Sequence, residues 1–420
     1  MSGVQRLLAG VGAGPMSYAD HREIHGSSVR FHGHELRAQL AASGLRGRGG
    51  GGFPLSAKID AIARRRRRPL LVVNGCEGEP MSGKDRVLLQ AAPHLVIDGA
   101  FVVGDAIGAE RILFAVDELD AVSEDALEGA LDERSRRTSA HRPEIVRIPP
   151  GYVSGQETAL VSWMNGRPAR PTVMPPRVTD RGVEDRPTLV SNAETLAHAA
   201  LIARHGARWF AEVGVPEDPG TALVTVGGAV GAPGVYEIEL GLALATLLRD
   251  SGGPTAGIGG VLIGGYAGGW IGPGQIGEQR LDRASAERVG ARLGAGIVVV
   301  LPASGCPVAE TARTAEWMAL ESAGQCGPCV HGLAAVARSL EDVRSGRGGR
   351  GALADVVRWS AQIPGRGACA HPDGTVALVA SAVRVFREAF LDHAEHGPCA
   401  GCDRPPVLET PGLRLGPAVR

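Results

Sequence analysis

Lysine and asparagine are both scarce in this chain of 420 residues. Of its 44 basic residues only Lys58 and Lys84 are lysines, and all the others are arginines. The asparagines are limited to Asn74, Asn165 and Asn192. Because arginine has replaced lysine almost everywhere, a retained lysine indicates a position where a compact ammonium group serves better than a guanidinium group. Chance survival on the surface is the alternative explanation.

Features typical of several large protein classes are also missing. The net charge of −1 gives no overall field that would attract nucleic acid or an anionic membrane. No uninterrupted apolar run approaches the roughly 20 residues that a spanning helix needs, and the opening segment is too short and glycine-rich for a secretory signal. Seven unevenly spread cysteines do not match the pattern of a secreted disulfide framework. We therefore expect a soluble, cytoplasmic protein without direct membrane insertion and without a nucleic-acid partner.

Three patterns of predicted secondary structure follow one another along the chain. In the first, a buried strand "LLVVNG" (70–75) and a strand "RILFAVD" (111–117) alternate with helical segments such as "EDALEGALDE", which is typical of an α/β domain. From about Gly220, short β-rich pieces bounded by glycines surround one helix and indicate a small β-grasp-like domain. From about Val308 the pattern is helical again.

Apolar residues recur at helical spacing in this last part. The two stripes consist of Leu333, Val336, Leu340 and Val343, and of Val379, Val383, Phe386 and Phe390. Steps of three and four residues place each stripe on one face of a helix, which predicts a small antiparallel bundle.

A glycine-rich segment, "GLRGRGGGGFP" (44–54), lies between two predicted helices. Its Gly-x-Gly-x-x-Gly spacing does not follow a strand, so the context of a Rossmann dinucleotide site is missing. Backbone without side chains can nevertheless approach a phosphate closely, and the helix that starts near Ser56 turns its positive end towards the loop. We predict a nucleotide or flavin phosphate site here, with a flexible linker as the alternative.

Polar residues cluster in "NGCEGEPMSGKDR" (74–86), directly after the strand "LLVVNG". Ligands of open α/β sheets bind beyond the carboxyl ends of the strands. The acidic side chains of Glu77, Glu79 and Asp85 suit sugar or ribityl hydroxyl groups, and the rare Asn74 and Lys84 also fall here. A binding role is favoured over an acidic surface turn.

Cys326 and Cys329 form a C-x-x-C pair in "ESAGQCGPCVHG" (321–332). The spacing alone fits a disulfide, a redox dithiol, half of a zinc site or part of an iron–sulfur cluster.

Five of these segments, in order, resemble the flavoprotein subunit of respiratory complex I (NADH:quinone oxidoreductase). They are "GLRGRGGGGFP", "NGCEGEPMSGKDR", "GYVSGQETAL", "TLVSNAETLA" and "ESAGQCGPC". The resemblance extends to the related subunits of NAD-linked hydrogenases and formate dehydrogenases. It implies an FMN-binding α/β domain, a β-grasp domain of the SLBB type and a helical domain that carries a [4Fe–4S] cluster. We expect these at residues 1–215, 216–300 and 301–396, followed by a flexible cysteine-containing tail at 397–420.

The resemblance also implies the residues of the flavin site. The expected cofactor-binding residues are Gly47, Arg48, Gly49, Gly50, Lys58, Asn74, Glu77, Glu79, Gly155, Gln156, Glu157, Asn192 and Thr195. Among them, Glu79 and Glu157 are expected to face the nicotinamide nucleotide. No catalytic acid or base is expected.

The resemblance places the cluster on Cys326, Cys329 and Cys369. The position of the first family cysteine is Ala323, so three thiolates remain for a [4Fe–4S] or a three-iron cluster. His331, His371 and Cys306 are candidate substitutes for the fourth ligand. A vestigial reduced site, zinc and a disulfide are the alternatives.

Further positions depart from the family pattern. Cys76 stands where the family has aspartate, and Gln156 and Ser191 replace a glutamate and an asparagine. The aromatic residues that sandwich adenine in the family correspond to Phe53, Ala61 and Arg177, and only Phe53 is aromatic.

The C-terminal segment "HAEHGPCAGCDRPP" brings Cys399 and Cys402 near His393 and His396 in sequence. Two cysteines and two histidines at this spacing fit a zinc site. A tail with unused thiols is the equal alternative.

The implied function is electron transfer as an NADH dehydrogenase flavoprotein subunit. Electrons would pass from NADH or NADPH to FMN, then through the cluster to a partner iron–sulfur or ferredoxin-type protein. The expected location of the protein is the cytoplasm, including the periphery of a membrane complex. A flavin is needed between the two because it accepts an electron pair and releases single electrons. The alternatives are a repurposed subunit that no longer oxidises NADH, and a reductase that works in the opposite direction.

Overall fold

The structure is a computed structural model that describes residues 4–12, 14–26, 33–135 and 142–413. The strands are β1 (Leu70–Asn74), β2 (Arg111–Asp117), β3 (Glu144–Ile148), β4 (Thr188–Asn192), β5 (Gly214–Val215), β6 (Asp218–Pro219), β7 (Thr221–Gly228), β8 (Gly234–Glu239), β9 (Ile258–Ile263), β10 (Gly269–Ile271) and β11 (Ile297–Pro302). The α-helices are α1 (Tyr18–His25), α2 (Gly33–Ser43), α3 (Leu55–Ala63), α4 (Lys84–Ala91), α5 (Pro93–Ile107), α6 (Ala121–Ser135), α7 (Glu157–Met164), α8 (Ala193–Phe210), α9 (Leu244–Asp250), α10 (Arg283–Arg288), α11 (Pro307–Leu320), α12 (Ala334–Arg344), α13 (Gly349–Gln362), α14 (His371–Val385) and α15 (Arg387–His396).

The first sheet is parallel and has the strand order β3-β2-β1-β4. The predicted strand "LLVVNG" forms β1, and its four apolar side chains are fully buried. Leu71 and Val73 pack in the apolar layer that contains α5 and α8, whereas Leu70 and Val72 pack in the layer on the other face. This alternation follows from the two-residue repeat of a strand. A parallel sheet covered on both faces confirms the predicted α/β class.

The second sheet is mixed and has the order β10-β9-β11-β7-β8, in which only β11 and β7 run parallel. Its apolar face packs on α9 through Leu244, Leu247 and Leu248. The sequence predicted β-rich pieces around one helix, and the structure adds the short helix α10. The domain limits proposed from the sequence remain predictions.

Helices α11 to α15 form the C-terminal bundle. The stripe Leu333, Val336, Leu340 and Val343 is buried along α12 and the turn before it, as predicted. In the second stripe Val379 and Phe390 are buried, but Val383 and Phe386 are only half-buried. The difference arises because α14 ends at Val385 and α15 begins at Arg387, so this stripe is divided between two helices.

Among the described helices, no single one is both long and apolar enough to cross a membrane. Helices α4 and α5 meet these two criteria only as a pair, with a bend of 98° between them.

Candidate functional site

The candidate site lies where the direction of the first sheet reverses. The chain passes from β1 to β2 and β3 on one side and returns to β4 on the other side of β1. Asn74 and Asn192 end β1 and β4 and are paired in register. Such a reversal opens a crevice at the carboxyl ends of the two strands, where ligands of open α/β sheets bind.

The glycine-rich loop covers this crevice from the side of α3. The Gly47 amide donates to the carbonyl of Phe53 at 2.9 Å and closes the loop. Gly50 and Gly52 have φ angles of 92° and 60°, which glycine adopts without strain. Within the described part of the chain, the amides of Gly49 to Gly52 have no protein acceptor. These free amides, directly before the positive end of α3, form a cradle for an anion.

Two contacts fix the loop against the end of β4 and the start of α8. A Cβ atom on Gly49 would lie 3.2 Å from the Asn192 Cβ atom, so glycine permits the close approach. The Arg48 amide donates to Thr195 Oγ1 at 2.8 Å. The Thr195 amide in turn donates to Asn192 Oδ1 at 3.0 Å, which caps α8. The predicted residues Gly49, Asn192 and Thr195 are therefore brought together.

Lys58 brings an ammonium group to the same crevice. Its Nζ atom donates to Glu157 Oε2 at 2.6 Å and to the Val190 carbonyl oxygen at 3.0 Å. The two side chains remain 25% and 30% exposed, so a ligand can reach both charges. The rarity of lysine was the sequence signal for this residue.

The loops after β1 and before α7 meet at Asn74. Its Nδ2 atom donates to the Gly155 carbonyl oxygen at 2.9 Å, and its Oδ1 atom accepts from the Cys76 amide at 3.1 Å. A Cβ atom on Gly155 would lie 3.3 Å from the Cys76 Cβ atom. Gln156 caps α7, because its Oε1 atom accepts from two amides at the start of that helix. Asn74 and Gly155 thus lie at the crevice, whereas the side-chain amide oxygen of Gln156 already accepts hydrogen bonds from α7.

A buried ionic network supports the end of β4. Asn192 Nδ2 donates to Asp85 Oδ1 at 2.7 Å, and Lys84 Nζ lies 2.7 Å from Asp85 Oδ2 and 3.1 Å from Glu194 Oε2. Burial opposes the charge on Lys84, but the two carboxylates prevail and raise the pKa of Lys84 above its ordinary value. The sequence pointed to Lys84 and Asp85, but it did not reveal that Glu194 completes the network.

Glu77 acts at the start of α4. Its carboxylate accepts from the hydroxyl of Ser82 at 2.6 Å and from the amides of Asp85 and Arg86 at 3.1 Å each. Burial raises the pKa of Glu77. In this structure the carboxylate therefore orients the helix that carries Lys84 and Asp85.

Glu79 is a half-buried residue whose carboxyl group lies between the first sheet region and the second sheet. It accepts from the Tyr266 amide at 2.9 Å and from the Tyr152 hydroxyl at 3.4 Å. Burial raises the pKa of Glu79 to about 7, and the hydrogen bonds from Tyr266 and Tyr152 oppose that rise. A Cβ atom on Gly265 would lie 2.1 Å from Glu79 Oε2. No periodicity in the sequence indicated Tyr152, Tyr266 or Gly265.

The Arg48 guanidinium group is directed into the protein. It donates to the carbonyl oxygens of Pro219 and Thr221 at 3.3 and 3.2 Å and lies 3.8 Å from Asp218. Its side chain is 9% exposed, and burial lowers the pKa of Arg48. Only the backbone of Arg48 joins the crevice.

Of the predicted cluster cysteines, Cys326 and Cys329 lie in the turn before α12, and Cys369 lies directly before α14. The amides of Cys329 and Val330 donate to the Cys326 carbonyl oxygen at 3.1 and 3.0 Å. Burial opposes ionisation of Cys326, but amide hydrogen bonds from Ala368 and Cys329 prevail and lower its pKa. Burial raises the pKa of Cys329 to about 12, and the charges of Cys326 and Cys369 add to that rise. A bound metal would reverse this balance, because a coordinating thiol is deprotonated.

The three candidate substitutes for a fourth ligand differ in position. His371 has its Nε2 atom 2.8 Å from the Met318 carbonyl oxygen, and its Nδ1 atom is buried without a partner among the described residues. His331 is exposed. Cys306 caps the start of α11, whereas Cys326 follows the end of that helix. Fourteen helical residues separate these ends by about 21 Å, so Cys306 is excluded as a ligand of the same cluster.

The residues expected at the adenine position are accessible. Phe53 is 51% exposed and Arg177 is also exposed, whereas Ala61 is half-buried. An exposed ring beside the glycine-rich loop is available for stacking with a base.

Two family models match the chain. Residues 40–200 match the Nuo51 FMN-binding domain, and residues 309–393 match the NADH-ubiquinone oxidoreductase-F iron-sulfur binding region. The first contains the crevice and its glycine-rich loop, and the second contains Cys326, Cys329 and Cys369. The matches confirm FMN and a [4Fe–4S] cluster as the predicted cofactors of these regions.

Known proteins resemble the chain over most of its length. It is 33% identical over 379 residues to the F 2 subunit of NADH-quinone oxidoreductase from Rhizobium meliloti, covering 87% of this chain and 90% of the relative. It is 33% identical to the F subunit of NADH-quinone oxidoreductase from Streptomyces coelicolor, covering 90% of this chain and 86% of that relative.

Solved structures of an NAD⁺-reducing [NiFe]-hydrogenase are similar to the chain as well. The air-oxidised form matches with a TM-score of 0.84 and 28% identity over 93% of this chain, and the H₂-reduced form with 0.80 and 29% over 87%. The chain spans 67% and 63% of the lengths of these hydrogenase chains. The predicted resemblance and the predicted oxidoreductase activity are confirmed, and the repurposed alternative is not favoured. The chain belongs to the family of the F subunit of NADH-quinone oxidoreductase and is an electron-transferring flavoprotein subunit with an FMN-binding and an iron–sulfur-binding region.

Proposed function

We propose that the crevice at the ends of β1 and β4 binds FMN and receives NADH, and that Cys326, Cys329 and Cys369 hold the iron–sulfur cluster that would accept the electrons. The observation that carries this proposal is the pairing of Asn74 with Asn192 at the sheet reversal, with Gly49 packed on Asn192. Bound FMN supplies the conversion of an electron pair from a nicotinamide into single electrons for a cluster.

Different residues of the crevice are suited to different parts of the FMN molecule. The free amides of the glycine-rich loop and the Lys58 ammonium group are suited to the FMN phosphate. Asn74 and the Gly155 loop form one wall, and Asn192 with Thr195 forms the other. The remaining predicted residues act around these walls: Gly47, Gly50, Gln156, Glu77 and Glu157. Arg48 positions the loop through its hydrogen bonds to the Pro219 carbonyl oxygen in β6 and the Thr221 carbonyl oxygen in β7.

Glu79 is proposed to face the nicotinamide nucleotide together with Glu157. Its pKa of about 7 leaves it partly protonated near neutral pH, so it can donate as well as accept a hydrogen bond. No side chain has to transfer a proton for the nicotinamide to be oxidised. The residues position the donor and exclude water.

The donor and the acceptor are inferred from the relatives. Their names contain NADH-quinone oxidoreductase and NAD⁺-reducing hydrogenase, which supports NAD(H) over NADPH as the substrate. A partner iron–sulfur or ferredoxin-type protein would receive the electrons. We place the chain in the cytoplasm, as a subunit at the periphery of a membrane complex.

The test begins with protein purified without oxygen. We expect bound FMN, iron above background and a visible spectrum that NADH bleaches rapidly. Lys58→Met should weaken FMN binding about tenfold, because a charge-assisted hydrogen bond contributes roughly 1.5 kcal/mol. Arg66→Met, which changes an exposed charge near the same helix, is the matched control.

The outcomes separate the possibilities. Full FMN affinity in the Lys58 variant would contradict the assignment of the crevice. A flavin-containing wild-type protein that neither NADH nor NADPH bleaches would contradict the assignment of the donor.

A further inference from the structure

We propose that Cys306, His393, Cys399 and Cys402 bind one Zn²⁺ ion in a tetrahedral site separate from the iron–sulfur region. One ligand atom from each of these residues lies within 4.8 Å of the other three. Cys306 and His393 are buried, Cys402 is half-buried and Cys399 is exposed. Three thiols and one imidazole form a common structural zinc set.

The distances fit one ion. The sulfur atoms of Cys306 and Cys402 lie 3.5 Å apart, and the Nε2 atom of His393 lies 3.3 Å and 4.0 Å from them. Zinc–sulfur bonds of about 2.3 Å and zinc–nitrogen bonds of about 2.0 Å in a tetrahedron place two sulfurs about 3.8 Å apart and sulfur and nitrogen about 3.5 Å apart. The side chains are therefore already at the spacing that a central ion requires.

His393 is oriented as a metal ligand. Its Nδ1 atom lies 3.1 Å from the Arg344 carbonyl oxygen, the usual position for a donated hydrogen bond. A proton on Nδ1 leaves the Nε2 lone pair free and directed towards the sulfur atoms. Zinc-binding histidines almost always have such an outer partner.

The site is distinct from the predicted cluster. Cys306 caps the start of α11, and the turn with Cys326 and Cys329 follows its other end, about 21 Å away. A cubane cluster also binds each thiolate at a separate iron, so its ligands cannot converge on one point. A disulfide is not formed, because its sulfurs would lie about 2.0 Å apart.

The structure corrects one ligand of the zinc alternative considered from the sequence. His396 is exposed, and its Nδ1 atom lies 3.0 Å from Asp392 on the same helix. Cys306, 87 residues before His393, takes the position instead. Its sulfur accepts from the Ala309 amide at 3.3 Å, which holds the sulfur at the start of α11.

The ion would fasten the C-terminal strap, defined here as residues 397–413, to the bundle. Gly401 lies so close to the turn before α11 that a Cβ atom would be 3.0 Å from the Ser304 carbonyl oxygen. Beyond it, the Val407 amide donates to Glu310 at 3.0 Å, and Trp317 Nε1 donates to the Pro411 carbonyl oxygen at 3.1 Å.

The strap also reaches the proposed nicotinamide side. The Tyr266 hydroxyl donates to the Glu409 carbonyl oxygen, and the Tyr266 amide donates to Glu79. The proposed role of the zinc is therefore to hold the strap that supports Tyr266.

Metal analysis of the anaerobically purified holoprotein tests the site. We expect about one zinc per chain, and less than about 0.2 in a variant with Cys399→Ser and Cys402→Ser. Cys326→Ser is the matched control and should lower iron while it leaves zinc unchanged. Zinc retained in the double variant, absence of zinc from wild-type protein incubated with zinc salt, or iron in this site would each overturn the proposal.

Cobalt provides a test that does not depend on the folding of a variant. Wild-type protein stripped of zinc and loaded with Co²⁺ should show the intense visible bands of tetrahedral cobalt with thiolate ligands. Hydrogen exchange of the Val407 and Leu408 amides should become at least about tenfold faster after zinc removal, whereas exchange in β1 should not change. Weak octahedral bands, or unchanged exchange in the strap, would count against the site and its role.

Discussion

Glu79 illustrates how burial changes a single residue. In the folded protein its pKa is about 7 instead of the ordinary 4.5, chiefly because burial penalises the carboxylate. Amide and hydroxyl donors and the charge of Lys84 lower it, and the charge of Glu77 raises it. The folded state therefore binds more protons than the unfolded state between these two pH values. Folding stability must then decrease as the pH rises through this window.

Glu79→Gln should remove this pH dependence. From below pH 4.5 to above pH 7, Glu79 alone lowers the free energy of unfolding of the wild-type protein by about 3 kcal/mol. Urea unfolding of wild type and variant at several pH values measures the difference between the two curves. The exposed Glu118→Gln variant is the control and should run parallel to wild type. Parallel curves for Glu79→Gln would contradict the raised pKa.

Composition revealed some site residues and missed others for physical reasons. Lys58, Asn74 and Asn192 were predictable because rare residue types fell within motifs, and the structure brings all three to one crevice. Tyr266 was not predictable, because its contact with Glu79 joins residues 187 positions apart. Such contacts depend on how two sheets pack, and no local sequence pattern encodes that packing.

At the scale of elements, the glycine-rich loop is defined by its approach to β4. Gly49→Ala should weaken FMN binding roughly fivefold, because the new Cβ atom would lie 3.2 Å from Asn192 and overpacking costs about 1 kcal/mol. Quenching of FMN fluorescence measures the dissociation constant. Gly129→Ala, within α6 and with open space around its Cα atom, is the matched control. Equal affinities for the two variants would show that the approach is unimportant.

The turn before α12 is the second element with a direct test. Ala323→Cys should increase iron per chain and strengthen the iron–sulfur absorption, because a fourth thiolate completes the set of Cys326, Cys329 and Cys369. Ala42→Cys, which adds a thiol on an exposed face of α2, controls for unspecific iron uptake. An unchanged iron content in Ala323→Cys would argue against the cluster assignment.

Elements with strong local patterns were predicted well, and those fixed by distant contacts were not. The strand β1 followed from its apolar run. Helix α2 ends directly before Gly44, whose φ angle is 69°, where the glycine-rich segment between the two predicted helices begins. The position of Cys306 beside His393 and Cys402 could not be derived, because it depends on the folding of the strap back to the start of α11.

At the scale of the whole molecule, Arg48 joins the flavin loop to the second sheet region. Its guanidinium group donates to carbonyl oxygens of Pro219 and Thr221 and lies near Asp218, although the loop itself belongs to the first sheet region. The side chain is almost fully buried, so its removal would take a nearby cation from the Asp218 carboxylate and a donor from two carbonyl groups. Asp218 would keep its hydrogen bond from the Arg283 amide. The contact therefore holds two parts of the molecule in one arrangement.

Arg48→Met should lower the free energy of unfolding by about 3 kcal/mol, since it breaks a buried ionic contact. The Arg46 side chain, in the same loop, donates a hydrogen bond to the Gly52 carbonyl oxygen at 3.3 Å. Arg46→Met should therefore lower the free energy of unfolding by less than about 1 kcal/mol. Because the Arg48 amide remains bonded to Thr195, we expect the FMN dissociation constant of Arg48→Met to change less than about threefold at a temperature where the variant is folded. A large loss of FMN affinity with unchanged stability would instead assign the guanidinium group a direct contact with the phosphate.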